Sequence, residues 1–281
     1  MIRRGHPYLK PRTEPASAES HQLEAEGYTI IRGLLSAGEL GELRDEIAGV
    51  FDRDPADHRN ELPPEDRDMF RYAMLNRSAA AQATIAHPGL LEVIEPLLGE
   101  DCHVIANTAW RNPAGQPGSH GGQNWHIDAG PHVPLPEGVR WPADIPHPVF
   151  AIGVHIYLQD CARVDGPTAV VPGSHRSGRL APFDQMWDTD LTYDGRPPRV
   201  FEVWAGDVVL FVSDVWHRGL PAREGGRGRF FLQAHYARRD IAQRIRTTDE
   251  ANQVSPEAME RATTDRARSV IGLHAPFFYD A

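Results

Sequence analysis

A chain of 281 residues that is 41% apolar and 24% charged can fill the core of one large domain or two small ones, which excludes an intrinsically disordered protein. Its formal net charge of -10 argues against nucleic acid or an anionic membrane as partner, because phosphate binding needs clustered Lys and Arg. Cys102 and Cys161 are the only cysteines, too few for a disulfide framework and at no zinc-finger spacing, so a reducing cytoplasm is the expected location.

Residues 1–20 are polar and proline-containing, without the apolar core of a signal peptide, and read as a loose arm. No later stretch is long and apolar enough to span a bilayer, so no membrane contact is expected. From 21 to 99 the pattern is mostly helical. Ser36 and Glu39 have capping-box spacing, and Leu40, Leu43, Ile47 and Val50 then recur at steps of three and four, which predicts an amphipathic helix of about four turns. A second helix is expected after His87-Pro88, carrying Leu90, Leu91, Val93, Ile94, Leu97 and Leu98 and stopping at Gly99.

Beyond residue 100 short apolar runs alternate with Gly, Pro, Asp and Asn. The runs are 149–152, 169–171, 208–212 and 229–232, each of strand length. Segments 112–148 and 173–199 read as loops, and a polar, helix-compatible extension follows from 241 to the aromatic Pro276-Phe277-Phe278-Tyr279. The expectation is a single domain, mainly β with flanking helices, whose 100–240 core is a double-stranded β-helix of jelly-roll, cupin-like type.

His126-Ile127-Asp128 is a His-x-Asp motif; on an extended strand its two side chains share a face and converge on one point. Alone it is weak, since 14 His and 39 acidic residues produce such pairs by chance. A second feature adds to it. The strand 207–212 leads through Ser213-Asp214-Val215-Trp216 to His217, which would complete two imidazoles and one carboxylate on one face of a six-coordinate ion. That donor set leaves three positions open, as in non-haem Fe(II) oxygenases. Arg229 follows at the head of the next strand, where it is either a fork for a distant carboxylate or a surface Arg in a turn with Arg223 and Arg227.

These residues, together with Glu26-Gly27-Tyr28, Ile31-Arg32-Gly33, Asp165-Gly166-Pro167-Thr168, Val171-Pro172-Gly173-Ser174-His175 and Gly206-Asp207, resemble the phytanoyl-CoA dioxygenase family over roughly residues 20–240. The resemblance implies an Fe(II)/2-oxoglutarate-dependent dioxygenase using O2, with iron on His126, Asp128 and His217 and the distal carboxylate of 2-oxoglutarate on Arg229. The turn before Arg229 is about one residue longer than is usual in that family, which leaves Arg227 as the lesser candidate. The resemblance also places Thr168 near the cosubstrate and makes His175 structural. Its halogenases carry a small residue where Asp128 stands, so hydroxylation of an unactivated C–H in a small metabolite or natural-product intermediate is implied here.

Asn107, on a preceding strand, is a second candidate for the cosubstrate. Trp110, Trp125 and Trp216 flank the motif residues, and His155 alternates on a central strand; all four are candidates to face substrate. His120, His132 and His147 fall in the first long loop and are expected in solvent. Two other readings stay open on the residues: a zinc hydrolase using the same triad, which lacks a general-base Glu at a recognised spacing, and a non-catalytic jelly-roll that binds a small molecule. The oligomeric state, monomer or dimer, is not readable.

Overall fold

Strand β7 (Val208–Val212) explains how the molecule is layered, because all five of its residues are buried. Val208, Leu210 and Val212 join a core with the helices, whereas Val209 and Phe211 belong to a second core on the opposite face. A strand covered on both sides needs no polar alternation, which is why its sequence is one continuous apolar run. Each such side chain contributes about 1.5–3 kcal/mol of transfer free energy when fully buried.

The computed structural model describes residues 16–53, 69–112, 122–128, 130–241 and 253–273. The expected arm up to residue 15, His120 and the aromatic terminus lie outside the described residues. Around β7 a six-stranded antiparallel sheet is built in the order β1-β7-β4-β9-β3-β2, with β1 (Tyr28–Ile31), β2 (Phe70–Tyr72), β3 (His103–Arg111), β4 (Ala151–Tyr157) and β9 (Phe230–Ala237). A smaller sheet, β6-β5-β8, pairs Arg199–Val200 with Thr168–Val170 and Thr168–Val170 with His217–Gly219. Tyr157, Val170, Phe201, Phe211 and Phe231 fill the space between the two sheets. This is the expected jelly-roll.

The outer face of the large sheet is covered by helices. Helix Ala37–Arg53 starts with the reciprocal cap read from the sequence: Ser36 N–H donates to Glu39 Oε2 at 2.9 Å and Glu39 N–H to Ser36 Oγ at 3.3 Å. It buries Leu43, Ile47, Val50 and Phe51. Helix Pro88–Leu98 buries Leu90, Leu91, Val93, Ile94 and Leu98, and Gly99 ends it at φ +98°. Two short helices of the C-terminal extension, Pro256–Arg261 and Asp265–Val270, pack back on this layer through Arg266, which pairs with Glu95 at 2.6 Å. Among the described residues no helix is long and apolar enough to cross a membrane.

The flank from 21 to 99 is less helical than expected. It supplies both edge strands of the large sheet, β1 and β2, of four and three residues. β1 is held to the start of β7 by Asp207, whose carboxylate accepts from Gly33 N–H at 2.8 Å and Arg32 at 2.6 Å. The boundary of the arm also moves, since a helix begins at Ala18, capped by Ser17.

Candidate metal and anion site

His126, Asp128 and His217 meet at the open end of the jelly-roll, each offering one ligand atom within 4.8 Å of the others. His217 opens β8, and His126 faces it across a single antiparallel bridge in which each backbone N–H donates to the other's carbonyl, at 3.0 and 2.9 Å. The His-x-Asp motif is therefore not part of a strand ladder, as the spacing suggested; one bridge holds it. Asp128 Oδ1 lies 3.4 Å from His217 Nε2 and 4.0 Å from His126 Nε2.

Both imidazoles are oriented by the backbone. His126 Nδ1 sits 2.8 Å from Asn124 O and His217 Nδ1 3.0 Å from Val215 O. A carbonyl only accepts, so in each ring Nδ1 carries the proton and the Nε2 lone pair faces the cluster. Burial and the neighbouring His217 push His126 down to about 4, which keeps its ring neutral. Burial opposes charge on His217 too, but the adjacent Asp128 carboxylate outweighs it and raises its pKa. Asp128 is held low: desolvation favours its acid form, yet His217, His235 and His126 together win. Two imidazoles and a carboxylate aimed at one point are a donor set that could hold a metal ion.

Deeper in the same cavity is a buried guanidinium. Arg229 is 2% exposed. Its Nε donates to Asn112 Oδ1 at 3.2 Å and Nη1 to Thr168 Oγ1 at 3.3 Å, while Nη2 is buried with no hydrogen-bond partner. No carboxylate among the described residues pairs with it. A buried guanidinium without a counter-charge costs several kcal/mol of desolvation, so this arrangement calls for an anion. Arg227 does not compete, since its side chain is 58% exposed and lies 3.8 Å from Asp165. Thr168 Oγ1 also contacts Tyr157 Oη at 3.2 Å and His155 Nδ1 at 3.4 Å. Burial, and then Arg229, keep His155 well below its ordinary pKa, so it adds no charge.

Of the residues expected to face substrate, Trp110 and His155 line the cavity. Trp125 and Trp216 do not. They pack in a separate cluster with Ala169, Val171, Ala181 and Leu191, and their indole N–H groups donate to Asp188 O and Arg179 O. Each is one residue from a ligand, and neighbours on extended backbone point to opposite faces. Asn107 is also a correction: it pairs with Ala234 on the helix side of the sheet, and its Oδ1 accepts from Leu75 N–H at 3.0 Å. His175 is structural, with Nε2 3.2 Å from Glu24 O. His147 is 2% exposed and His132 pairs with Asp214, so neither is in solvent.

Gln123 and Gln233 of the wall, and His235 beside Asp128, had not been singled out. Gln123 Oε1 accepts from Gly219 N–H at 3.0 Å. Gln233 accepts from Trp110 Nε1 at 2.7 Å and contacts His235 Nε2 at 2.8 Å, which in turn lies 3.4 Å from Asp128 Oδ2. Arg229, Phe231, Gln233 and His235 stand at alternate positions, so the signal was the period of two running on from Arg229.

Residues 23–229 match the family model described as phytanoyl-CoA dioxygenase (PhyH). Among solved structures, EctD from S. alaskensis with 2-oxoglutarate and 5-hydroxyectoine is similar at TM-score 0.65 and 19% identity, covering 86% of this chain and 84% of its own. The epimerase SnoN, in complex with Fe3+, alpha ketoglutarate and nogalamycin RO, is similar at TM-score 0.62 and 17% identity, covering 85% and 89%. HygX from Streptomyces hygroscopicus, with nickel and 2-oxoglutarate bound, is similar at TM-score 0.60 and 16% identity, covering 82% and 90%. At these identities the likeness carries the fold.

Proposed function

Because the chain belongs to the phytanoyl-CoA dioxygenase family, we propose that His126, Asp128 and His217 hold Fe(II) and that Arg229 holds the distal carboxylate of 2-oxoglutarate. The observation that carries this reading is the pairing of two sites in one cavity: a cluster of two imidazoles and a carboxylate at the mouth, and a buried, uncompensated guanidinium below it. The donor chemistry fits both groups. Two nitrogens and one oxygen suit iron, and a planar fork with Nη2 unengaged suits a carboxylate.

Bound there, Fe(II) with 2-oxoglutarate and O2 would supply oxidising chemistry able to act on an unactivated C–H bond, with succinate and CO2 as coproducts. The chain's own residues bind and orient. The Nδ1–H bonds to Asn124 and Val215 fix both imidazoles before any ion arrives, and Thr168 and Asn112 fix two edges of the Arg229 fork. Phe231, stacked on Trp110 at 5.8 Å between ring centres, makes an apolar wall that keeps water from the cosubstrate. Trp110 and Gln233 also line the cavity, and in our reading they face the space left for substrate.

Asp128 favours hydroxylation over halogenation, since its carboxylate occupies the position a halide would take. Substrate in our reading is a small metabolite or natural-product intermediate; the similar folds were solved with a hydroxyectoine and a nogalamycin compound. Both cysteines are buried free thiols, which suits a cytoplasmic enzyme. The test is a screen of metabolite pools with Fe(II), 2-oxoglutarate and air, read by succinate formation and by mass spectrometry for a gain of one oxygen. A product of unchanged oxygen content formed with succinate would replace hydroxylation by another oxidation. Turnover on zinc without 2-oxoglutarate consumption would overturn the assignment.

A further inference from the structure

Two stretches of chain bring the three candidate ligands together, and they are joined at more than the ligands. One carries His126 and Asp128 and continues to Gly130 and His132; the other is the turn 213–217 that ends in His217. Near the cavity they are linked by the His126–His217 bridge and by Asp128 N–H donating to Ser213 O at 3.2 Å. Beyond Asp128 they are linked again. Asp214, 3% exposed at its side chain, accepts from His132 twice: backbone N–H to Oδ1 at 2.7 Å and Nδ1 to Oδ2 at 2.7 Å.

The surroundings are shaped to that contact. The His132 ring stacks on Phe150 at 5.0 Å and 7° between planes, and the Arg238 guanidinium lies 4.6 Å from the centre of the same Phe150 ring. Gly130 has φ +112°, and a Cβ there would stand 2.5 Å from Asp214 Oδ1, so only glycine lets the chain pass this close to the carboxylate. None of these groups touches the ligand cluster, so their effect on a metal can only be through where they hold Asp128 and His217.

The geometry points to the Asp214–His132 pair as a positioning device that sets the Asp128-to-His217 spacing before metal binds; this rests on the triad being a metal site. Without it the two stretches are joined only on the His126 side, and Asp128 swings on the Ser213 contact. The ion then has to order Asp128 itself, and that cost appears as lost affinity.

The test is equilibrium binding of Co(II) and of anaerobic Fe(II) to the full chain, with no cosubstrate and no turnover. Asp214→Asn keeps shape but presents an amide NH2, itself a donor, to one of the two donors; His132→Phe keeps the Phe150 stack and loses the Nδ1 bond. Each is expected to weaken binding by about tenfold, the lower end of the loss seen when a hydrogen bond made directly to a metal ligand is removed. The double variant is expected to be no weaker than either single. His132→Asn, which places an amide N–H near the Nδ1 position, is expected to recover most of the affinity. At saturating metal the Co(II) spectra of all variants should match the parent, because the ligands are untouched. Parental affinity in Asp214→Asn and His132→Phe overturns this role while leaving the triad standing, as does a His132→Asn variant as weak as His132→Phe. A parent chain that binds neither ion overturns both this inference and the triad.

Discussion

A Cβ placed on Gly219 would stand 2.5 Å from Arg229 Nη2, so the absence of a side chain at the end of β8 is what leaves room for the guanidinium. Gly219 has no left-handed backbone to protect; its constraint is this close approach alone. Gly219→Ala is therefore expected to displace the fork and raise the KM for 2-oxoglutarate about tenfold, with Fe(II) affinity unchanged. Arg229→Gln removes charge-assisted bonds of about 1.5–3 kcal/mol, and is expected to raise the same KM by about 10- to 100-fold. Steady-state kinetics with the metal saturated separate the two from a loss of iron. An unchanged KM in both would place the cosubstrate elsewhere.

The tie between β1 and β7 makes a stability prediction. Asp207 is 3% exposed at its side chain and accepts from Gly33 N–H at 2.8 Å and Trp204 N–H at 2.9 Å. Its pair with Arg32 adds less, because that Arg side chain is 53% exposed and screened. Asp207→Asn leaves at least one buried donor facing an amide NH2, at a cost of about 1–3 kcal/mol. Urea unfolding should show this loss, with the slope of the transition unchanged. A midpoint equal to the parent's would mean that the sheet edge is held without Asp207.

Acid sensitivity should reside partly in His175. Burial first, then His147 and Arg176, push its pKa from 6.5 down to about 3. Above pH 6.5 folded and unfolded chains are both neutral there; between 6.5 and 3 only the unfolded chain takes the proton. Stability from this group is thus complete above its unfolded pKa and falls with acid by about 1.4 kcal/mol per pH unit. His175→Gln keeps a donor for Glu24 O and removes the titration, so its stability is expected to decline less steeply from pH 6 to pH 4. Parallel pH profiles would show that His175 titrates normally.

Much of this was legible because the informative residues obey local rules. Val208–Val212 declares a doubly buried strand by its unbroken apolar run, and Ser36 with Glu39 declares a helix start by chemistry that needs no partner elsewhere. What the sequence hid depends on register. Asn107 and Thr108 differ by one position, yet Asn107 faces the helices while Thr108 pairs with Gln233, and the shift between Val104 and Ala106 that sets this comes from pairing with β9. β2 is three residues long and exists by pairing with β3, so no period could reveal it. Trp125 and Trp216 were a different matter. Each adjoins a ligand on extended backbone, where neighbouring side chains point to opposite sides, and both pack into a separate cluster.

The measurement that bears most directly on the site is binding of 2-oxoglutarate to the chain under anaerobic conditions, with and without Fe(II), in the parent, His217→Ala and Arg229→Gln. The expected result is one equivalent bound tightly only when Fe(II) is present, with binding lost or strongly weakened in either variant. Binding that survives removal of both His217 and Arg229, or an Fe(II)-loaded parent that takes up no 2-oxoglutarate, would contradict the joint metal and anion site described above.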